Sequence, residues 1–241
     1  MRCFNRPRTL DTLGAIVVVG GLTAASAARL GVSASSLTSF TDRAVIAAPP
    51  VIACDNFARP SIKGNIIDGR PVQLPPQCGN QTWVKNTGTW KLTGGKANAA
   101  GAHATITLNA GRTDVSAEGS FINANTSNRV GGITIAHSGG TTPRYLAAVL
   151  AGPTGVQRRI SSGSAVTTIA IGTASYGSTT RLRVTLSGGV VTISLAGTVL
   201  LTHTLTVAQA ALIAGNTRAG LYDNQGSVRF DDFLVTNAWA P

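Results

Sequence analysis

The chain has 241 residues, with 20 Lys+Arg against 9 Asp+Glu, 12% charged residues, 5% aromatic residues and 28 Gly. Its 43% hydrophobic content excludes a disordered tail, and a single glutamate, Glu118, among many Thr, Val, Ser and Gly residues excludes helical bundles and coiled coils. The length allows one sandwich-sized domain, and the composition predicts an all-β fold outside a terminal segment.

The N-terminal residues have the pattern of an export signal. Three arginines between residues 2 and 8 form a basic region, and residues 13–28 then contain no charge. This run is shorter than the roughly 20 residues of a spanning helix, so we expect a signal helix within residues 1–39, cleaved between residues 27 and 39, rather than a retained anchor. The prediction confines membrane contact to the uncleaved signal and gives a secreted or cell-surface location.

The end of this segment resembles a known type of signal. Phe40, Thr41 and Asp42 match the F-T-D or F-N-D tripeptide that follows the apolar run in alternate signals of bacterial proteins processed by SipW-type peptidases. The segment departs from that pattern at Arg29. Residues 40–50 are predicted to be a linker, and residues 51–241 the folded domain.

Cysteine usage agrees with export. Cys3 would leave with the signal, so the mature chain keeps Cys54 and Cys78. An even pair in an exported chain predicts a disulfide, with two free thiols as the alternative. Neither the cysteine spacing nor the three scattered histidines favours a zinc site.

Short alternating runs separated by Gly-rich turns predict an antiparallel β-sandwich. The clearest hairpin is Thr180–Ala196, in which Leu182, Val184 and Leu186 alternate with polar residues before a Ser-Gly-Gly turn. Other strands are predicted at 104–109, 115–122, 131–137, 145–151, 156–161, 199–204, 218–222 and 228–236, and one short helix at 207–214.

The last of these strands changes phase. Val228 and Phe230 alternate in one register, whereas Phe233 and Val235 follow the opposite one. A β-bulge at residues 231–232 would keep all four inside, and the alternative is an inward Asp232 that needs a polar partner.

Five segments together resemble a family: Asp55–Pro60, Thr82–Ala97, Arg181–Thr198, Thr217–Tyr222 and Val228–Val235. They are similar to the D-x-F-x-R opening strand, the G-T-W motif, the central hairpin and the F-D-D-F closing strand of bacterial extracellular concanavalin A-like (laminin G-like) jelly-roll domains. The resemblance implies a two-sheet antiparallel jelly roll, commonly with a carbohydrate-binding or adhesive role. The loop at 61–81 departs from the pattern, and sugar-contacting loops vary too much to be carried over.

The acidic residues argue against catalysis. Glycoside hydrolysis requires two carboxylates across the scissile bond, and the glucanases of this fold carry an E-x-D-x-x-E strand that the sequence lacks. Glu118 and the nearby Asp114 are expected to be exposed polar residues on an outer face. No G-x-S-x-G elbow is present either. The sequence predicts a protein that is not an enzyme.

Glycan binding usually requires an aromatic side chain flanked by polar residues that form hydrogen bonds with the sugar hydroxyls. Tyr222, followed by Asp223 and Asn224, is the strongest candidate cluster, on the expectation that the ring is exposed. Tyr145 with Arg144, and separately Tyr176, are weaker candidates, and packing is the alternative for every one of these rings. Trp83 and Trp90 are expected in the core.

A structural calcium ion is a further possibility. The first and last strands of a jelly roll lie side by side, so Asp55 could share a site with Asp231 or Asp232. Salt bridges to Arg59 or Arg229 would explain these carboxylates equally well.

The positive charge favours an anionic partner, with a merely solubilising surface as the alternative. Removal of the signal leaves a net charge of about +9, which attracts polyanions. Nucleic acid is not expected, because the arginines are scattered and no aromatic platforms alternate with them. We therefore expect a non-enzymatic module that binds a glycan or an anionic cell-envelope polymer. The alternative is a structural surface, matrix or phage-type adhesion subunit without glycan affinity.

Overall fold

Thirteen strands and one helix are formed by residues 48–58, 67–72, 78–122, 130–224, 226 and 228–238, which are the residues described in the computed structural model. The strands are β1 (Val51–Asp55), β2 (Val84–Thr93), β3 (Lys96–Asn109), β4 (Val115–Ile122), β5 (Val130–His137), β6 (Arg144–Ala151), β7 (Gly155–Ser162), β8 (Val166–Thr173), β9 (Thr179–Ser187), β10 (Val190–Leu195), β11 (Thr198–Thr204), β12 (Arg218–Asp223) and β13 (Arg229–Asn237). Helix α1 (Val207–Ile213) precedes β12. The predicted signal and most of the predicted linker lie outside the described residues.

The strands form two antiparallel layers joined at one corner. Layer A has the order β11-β10-β9-β4-β13 with β1 beside β13, and layer B has the order β3-β12-β5-β6-β7-β8 with β2 beside β3. The corner is the short pairing of Arg229 with Asn98 and of Phe230 with Ala97. Strands β4 and β9 of layer A pack against β5 of layer B. This is the predicted jelly-roll β-sandwich.

Alternating apolar residues of both layers fill the space between them. In β9, Leu182, Val184 and Leu186 are buried, and in β6 the residues Leu146 and Leu150 belong to the same core. Trp83 and Trp90 are both fully buried, as predicted. The sequence period therefore identifies which face of each strand meets the other layer.

The predicted bulge in β13 is present. The pairing of β13 with β4 shifts register between Asp231 and Leu234, and Asp232 has a positive φ of 49°. Phe230 and Phe233 on either side are buried. The extra residue thus restores the apolar phase, which the sequence pattern predicts.

The predicted disulfide joins Cys54 of β1 to Cys78, with their Cα atoms 4.6 Å apart. The Cys54 backbone N–H also donates to the Cys78 carbonyl oxygen. The bond fixes the loop before β2 to the edge of layer A. Closing a loop of this length contributes about 3 kcal/mol in the chain-entropy account.

The elements differ from the sequence prediction in four places. Strands β1 and β2 are not among the strands predicted from alternation. Strand β3 begins at Lys96, eight residues before the predicted start at 104, and β8 is not predicted at all. Both stretches are rich in Ala, Gly and Thr rather than in large apolar residues, so their alternation is weak. In the described part of the chain, no helix is long and apolar enough to cross a membrane.

Candidate functional site

The outer face of layer B, opposite the main core, is a concave groove. A cleft of about 210 Å³ opens on it, lined on one side by residues of the β2 and β3 strands and on the other by the β5–β6 loop and the β7–β8 turn. Strands β12, β5 and β6 lie between β3 and β7 in the sheet, so layer B must curl for both margins to reach one cleft. The lining residues are Thr87, Ala102, His103, Thr141, Pro143, Tyr145, Ser161, Gly163, Ser164, Ala165 and Val166.

Two tyrosines form the floor of the concave groove. Tyr145, Ala147 and Val149 alternate with the core-facing residues of β6 and make a second buried apolar cluster with Tyr222. The rings of Tyr145 and Tyr222 lie 6.0 Å apart. Burial raises the pKa of both phenols, so both stay protonated at neutral pH.

The hydroxyl of Tyr222 is held from two sides. It lies 2.7 Å from His103 Nδ1 and accepts a hydrogen bond from Arg159 Nη1 at 3.0 Å. Arg159 Nε and Nη2 both donate to the side-chain oxygen of Gln157. Burial, and to a lesser degree the Arg159 charge, lower the pKa of His103. A neutral imidazole beside the phenol is therefore the resting state.

A second histidine supports the floor from the other end. The ring of His137 stacks parallel to Tyr145 with the centroids 5.1 Å apart. Its Nδ1 accepts from the Gly139 backbone N–H at 2.9 Å, so its Nε2 carries the proton and donates to Thr105 Oγ1 at 3.3 Å. Burial first, and then the Arg218 charge, lower the pKa of His137 to about 3.

Hydroxyl groups tie the two margins of the cleft to the strands beneath. Thr87 Oγ1 donates to the His103 carbonyl oxygen at 2.7 Å, and Ser161 Oγ donates to the Pro143 carbonyl oxygen at 2.7 Å. Gly163 has a φ of 97°, and a Cβ atom there would lie 3.0 Å from the Thr142 carbonyl oxygen. The turn therefore requires glycine at this position to close against the opposite loop.

None of the arginines on the outer face of layer B forms an ion pair with a described carboxylate. Arg159 binds Gln157 and Tyr222, Arg218 donates to Thr107 Oγ1 at 2.8 Å and to the Thr107 carbonyl oxygen at 3.3 Å, and Arg144 is exposed. Within the described residues, the ion pairs instead involve Lys96, Arg181 and Arg183. The concave groove therefore keeps uncompensated positive charge.

The predicted glycan-contact residues fall at different depths. Tyr222 was expected to expose its ring, but it is fully buried. Its hydroxyl group is covered by His103 and Arg159, which both lie within hydrogen-bond distance of it. Tyr145 lines the cleft but is also buried, with 2% of its surface exposed, and Arg144 is exposed beside it. Any contact of these residues with a ligand stays a prediction.

The remaining candidates have local partners. Asp223 is buried and accepts from the Gly226 backbone N–H at 2.7 Å, and Asn224 Oδ1 accepts from the His103 N–H at 3.3 Å. Tyr176 does not line the cleft, because its hydroxyl donates to the carbonyl oxygens of Gly152 and Gly155 at the start of β7.

Sequence reasoning missed His103, Thr87, Ser161 and Arg159 as parts of this site. Thr87 and Ser161 come from opposite margins of layer B, and Arg159 reaches a residue 63 positions away. No local motif joins them. What the four residues share in the sequence is a position in a strand, or at its end, beside a turn rich in Gly or Ser.

The single glutamate also requires a correction. Glu118 is buried rather than exposed, because β4 pairs with β9 and aligns it with Arg183. Its Oε2 accepts from Arg183 Nε at 2.7 Å and Nη2 at 2.5 Å, and its Oε1 lies 3.3 Å from Arg181. Asp114 is exposed, as expected, and accepts from the Gly188 N–H.

The calcium candidates have protein partners. Asp55 is buried and accepts from Trp83 Nε1 at 2.7 Å and from the Phe57 N–H at 2.8 Å. Asp231 pairs with Lys96, and burial together with the Asp231 charge raises the pKa of Asp232. No group of three or more His, Cys, Asp or Glu side chains suited to a metal occurs among the described residues. A structural calcium ion stays a prediction.

Comparison with known proteins supports the fold and leaves the family open. No family model matches the chain, and no curated protein matches it. Among solved structures, the carbohydrate-binding module CBM66 from Bacillus subtilis is 13% identical, with a TM-score of 0.53 over 64% of this chain and 95% of that one.

Two glycoside hydrolase chains also match. Xyloglucan PUL GH43B from Bacteroides ovatus is 13% identical, with a TM-score of 0.51 over 80% of this chain and 40% of that one. A mutant of the GH43 protein BlXynB from Bacillus licheniformis is 12% identical, with a TM-score of 0.51 over 76% of this chain and 39% of that one. This chain thus spans about two fifths of those proteins. At such identities the likeness concerns the fold, which is an antiparallel jelly-roll β-sandwich.

Proposed function

We propose that this protein is a carbohydrate-binding module that takes its ligand in the concave groove of layer B and does not cleave it. The observation that carries the proposal is the cleft itself, whose lining combines the largely buried Tyr145 with hydroxyl-bearing residues and His103 from both margins of the sheet. Aromatic and hydroxyl-bearing side chains in one cleft are the usual means of binding a sugar ring.

The size of the cleft favours one sugar residue. Its volume of about 210 Å³ is below the roughly 300 Å³ at which sites for larger ligands begin. A chain end or a single branch would enter the cleft, and the rest of a polymer would lie along the groove. Terminal residues of a polysaccharide are the expected targets.

The charge of the groove favours acidic polymers. Arg159 has only Gln157 and Tyr222 as partners, and Arg144 at the cleft rim is exposed. None of the residues that line the cleft is Asp or Glu. A polyuronate or another anionic cell-envelope polymer would supply the missing negative charge, and its binding would weaken as salt rises.

The arrangement of acids supports binding without hydrolysis. Both carboxylate oxygens of Glu118 are held by Arg181 and Arg183, on the layer opposite the cleft. A glycosidase needs one carboxyl group free to protonate the leaving group and a second one facing it. Since the cleft lining has no carboxylate, we propose no catalytic residue.

We place the mature protein outside the cytoplasm, as a secreted or cell-surface module. The Cys54–Cys78 disulfide supports this location, because such bonds persist in oxidising compartments. The N-terminal export signal remains a prediction from the sequence.

A structural role is the second candidate. Strands β8 and β11 end the sheet path and contain no Asp, Glu, Lys or Arg, and each exposes an apolar side chain, Ile171 at 69% and Val199 at 58%. Uncharged edges are open to pairing with another strand. A surface or matrix subunit would use them to assemble with further copies.

The test is retention on immobilised polysaccharides, with neutral dextran and xylan compared with polygalacturonate. We expect retention on polygalacturonate, a decline with added salt, and an affinity about tenfold lower for Arg159→Gln, since a charge-assisted hydrogen bond is lost. Arg183→Gln, which removes the same charge from layer A, should bind like the wild type.

If the protein is retained on neutral polymers and not on polygalacturonate, the proposed preference for acidic polymers is wrong, and the proposed carbohydrate binding stands. No retention on a broad glycan array, together with concentration-dependent assembly in sedimentation, would reject the binding function in favour of the structural one.

A further inference from the structure

Arg158 lies on the opposite side of β7 from Arg159, facing the interior of the sandwich. It pairs with Ala148 of β6, and its neighbours on the same face of β7, Val156 and Ile160, pair with Leu150 and Leu146 of the main core. The residue is only 1% exposed. A guanidinium group is therefore placed among apolar side chains.

This guanidinium is not satisfied by the protein. Its Nε and Nη2 atoms are buried and have no hydrogen-bond partner, and no described carboxylate forms an ion pair with it. Arg159, the next residue, uses three of its N–H groups. Burial lowers the pKa of Arg158 to about 10, which still leaves it cationic at neutral pH. A buried cation without a counter-charge is strongly unfavourable.

The neighbours of Arg158 across the strands are small, and the strand ladder is irregular beside it. Arg158 is flanked across the strands by Ala148 and Ala170, the smallest side chains other than glycine. The β7–β8 pairing shifts register beside it, between Arg158 and Arg159, so the ladder is interrupted there. Strand β8 is the last of the sheet path, which puts this interruption next to an open edge.

We propose that Arg158 binds a small monovalent anion of the chloride type between the two layers. One negative charge balances the single guanidinium, and the free Nε–H and Nη2–H groups are donors for it. A small monovalent ion also costs less to desolvate than sulfate or phosphate. The site lies on the other side of layer B from the concave groove and does not depend on glycan binding.

The test is thermal unfolding at pH 7 and constant ionic strength, with sodium gluconate replaced stepwise by sodium chloride. Gluconate is too large for the site. We expect the wild-type Tm to rise and saturate, by about 3 °C at a tenfold excess over Kd. Arg158→Met should lose this dependence and should melt above the wild type in gluconate alone. Arg112→Met, at an exposed position, should keep the wild-type response.

An equal chloride response in Arg158→Met and the wild type, or no response in the wild type, would overturn the proposal. Anomalous diffraction from bromide-soaked wild-type crystals provides a measurement that does not depend on the variant folding. A bromide peak within hydrogen-bond distance of Arg158 Nε and Nη2 is expected, and its absence would reject the site.

Discussion

Both outer faces of the sandwich carry arginines, but the arginines have different kinds of partner on the two faces. On layer A, Arg181 and Arg183 bind Glu118 directly across the β4–β9 pairing. On layer B, Arg159 and Arg218 donate to an amide, hydroxyls and a backbone carbonyl. Charge on layer A therefore joins neighbouring strands, whereas charge on layer B remains available to a ligand. The net charge of +11 alone does not distinguish the two uses.

The difference extends to the titratable groups beneath each face. Layer B buries His137 and Tyr145 in a stack whose neutral form is required, because no described carboxylate pairs with the imidazole to stabilise its cation. Layer A buries a carboxylate with its counter-charges in place. Acid should therefore act on layer B through the protonation of His137.

The largest expected effect is the loss of stability as pH falls from 7 to 5. The pKa of His137 is about 3 in the folded chain and about 6.5 in the unfolded chain, so only the unfolded chain takes up this proton between pH 6.5 and 3. Stability is fully present above pH 6.5 and declines below it. We expect a loss of about 2 kcal/mol by pH 5, measured by urea unfolding.

His137→Gln should flatten this profile between pH 7 and 5. His103, whose pKa is also lowered, would contribute to any slope that remains. Equal stability of the wild type at pH 7 and pH 5 would contradict the burial of a neutral His137 on layer B.

A smaller effect is expected from the paired face. Glu118→Gln removes the charge that holds Arg181 and Arg183, at a side chain that is 4% exposed. Both arginines are partly exposed and regain water, so we expect a loss of about 1.5 kcal/mol, at the low end for hydrogen bonds to charged groups. The measurement is chemical unfolding at pH 7.

The double variant Glu118→Gln/Arg183→Gln separates pairing from other effects. If the two residues act together, the second substitution should add little to the first. Simple additivity of the two losses would show that the ion pair on layer A does not contribute to stability. Neither variant should alter polysaccharide retention.

The sequence predicts most of the fold, because the alternation of apolar residues is strong where large side chains meet the core. It identifies the β9–β10 hairpin and the β13 bulge, since Phe230 and Phe233 can both be buried only if one residue is inserted. It misses β8, in which Thr, Ala and Gly dominate. The Cys54–Cys78 bond follows from cysteine number alone.

The candidate site is less predictable, because it is made by the curvature of layer B. Tyr145 and Tyr222 are recognisable as aromatic residues, but the burial of their rings depends on distant partners such as His103, more than a hundred positions from Tyr222 in the chain. Likewise, the burial of Glu118 depends on the register that brings Arg183 beside it. Strand alternation gives the face of a residue, and only the pairing of distant strands gives its partners.

The central claim is that the concave groove of layer B is the ligand-binding face. Its most direct test is an amide chemical-shift titration of the labelled protein with oligogalacturonate. The account predicts that the largest shifts occur at His103, Tyr145 and Ser161 and that the amides around Glu118 and Arg183 do not change. Shifts confined to layer A, or a saturating interaction that leaves the cleft residues unperturbed, would contradict it.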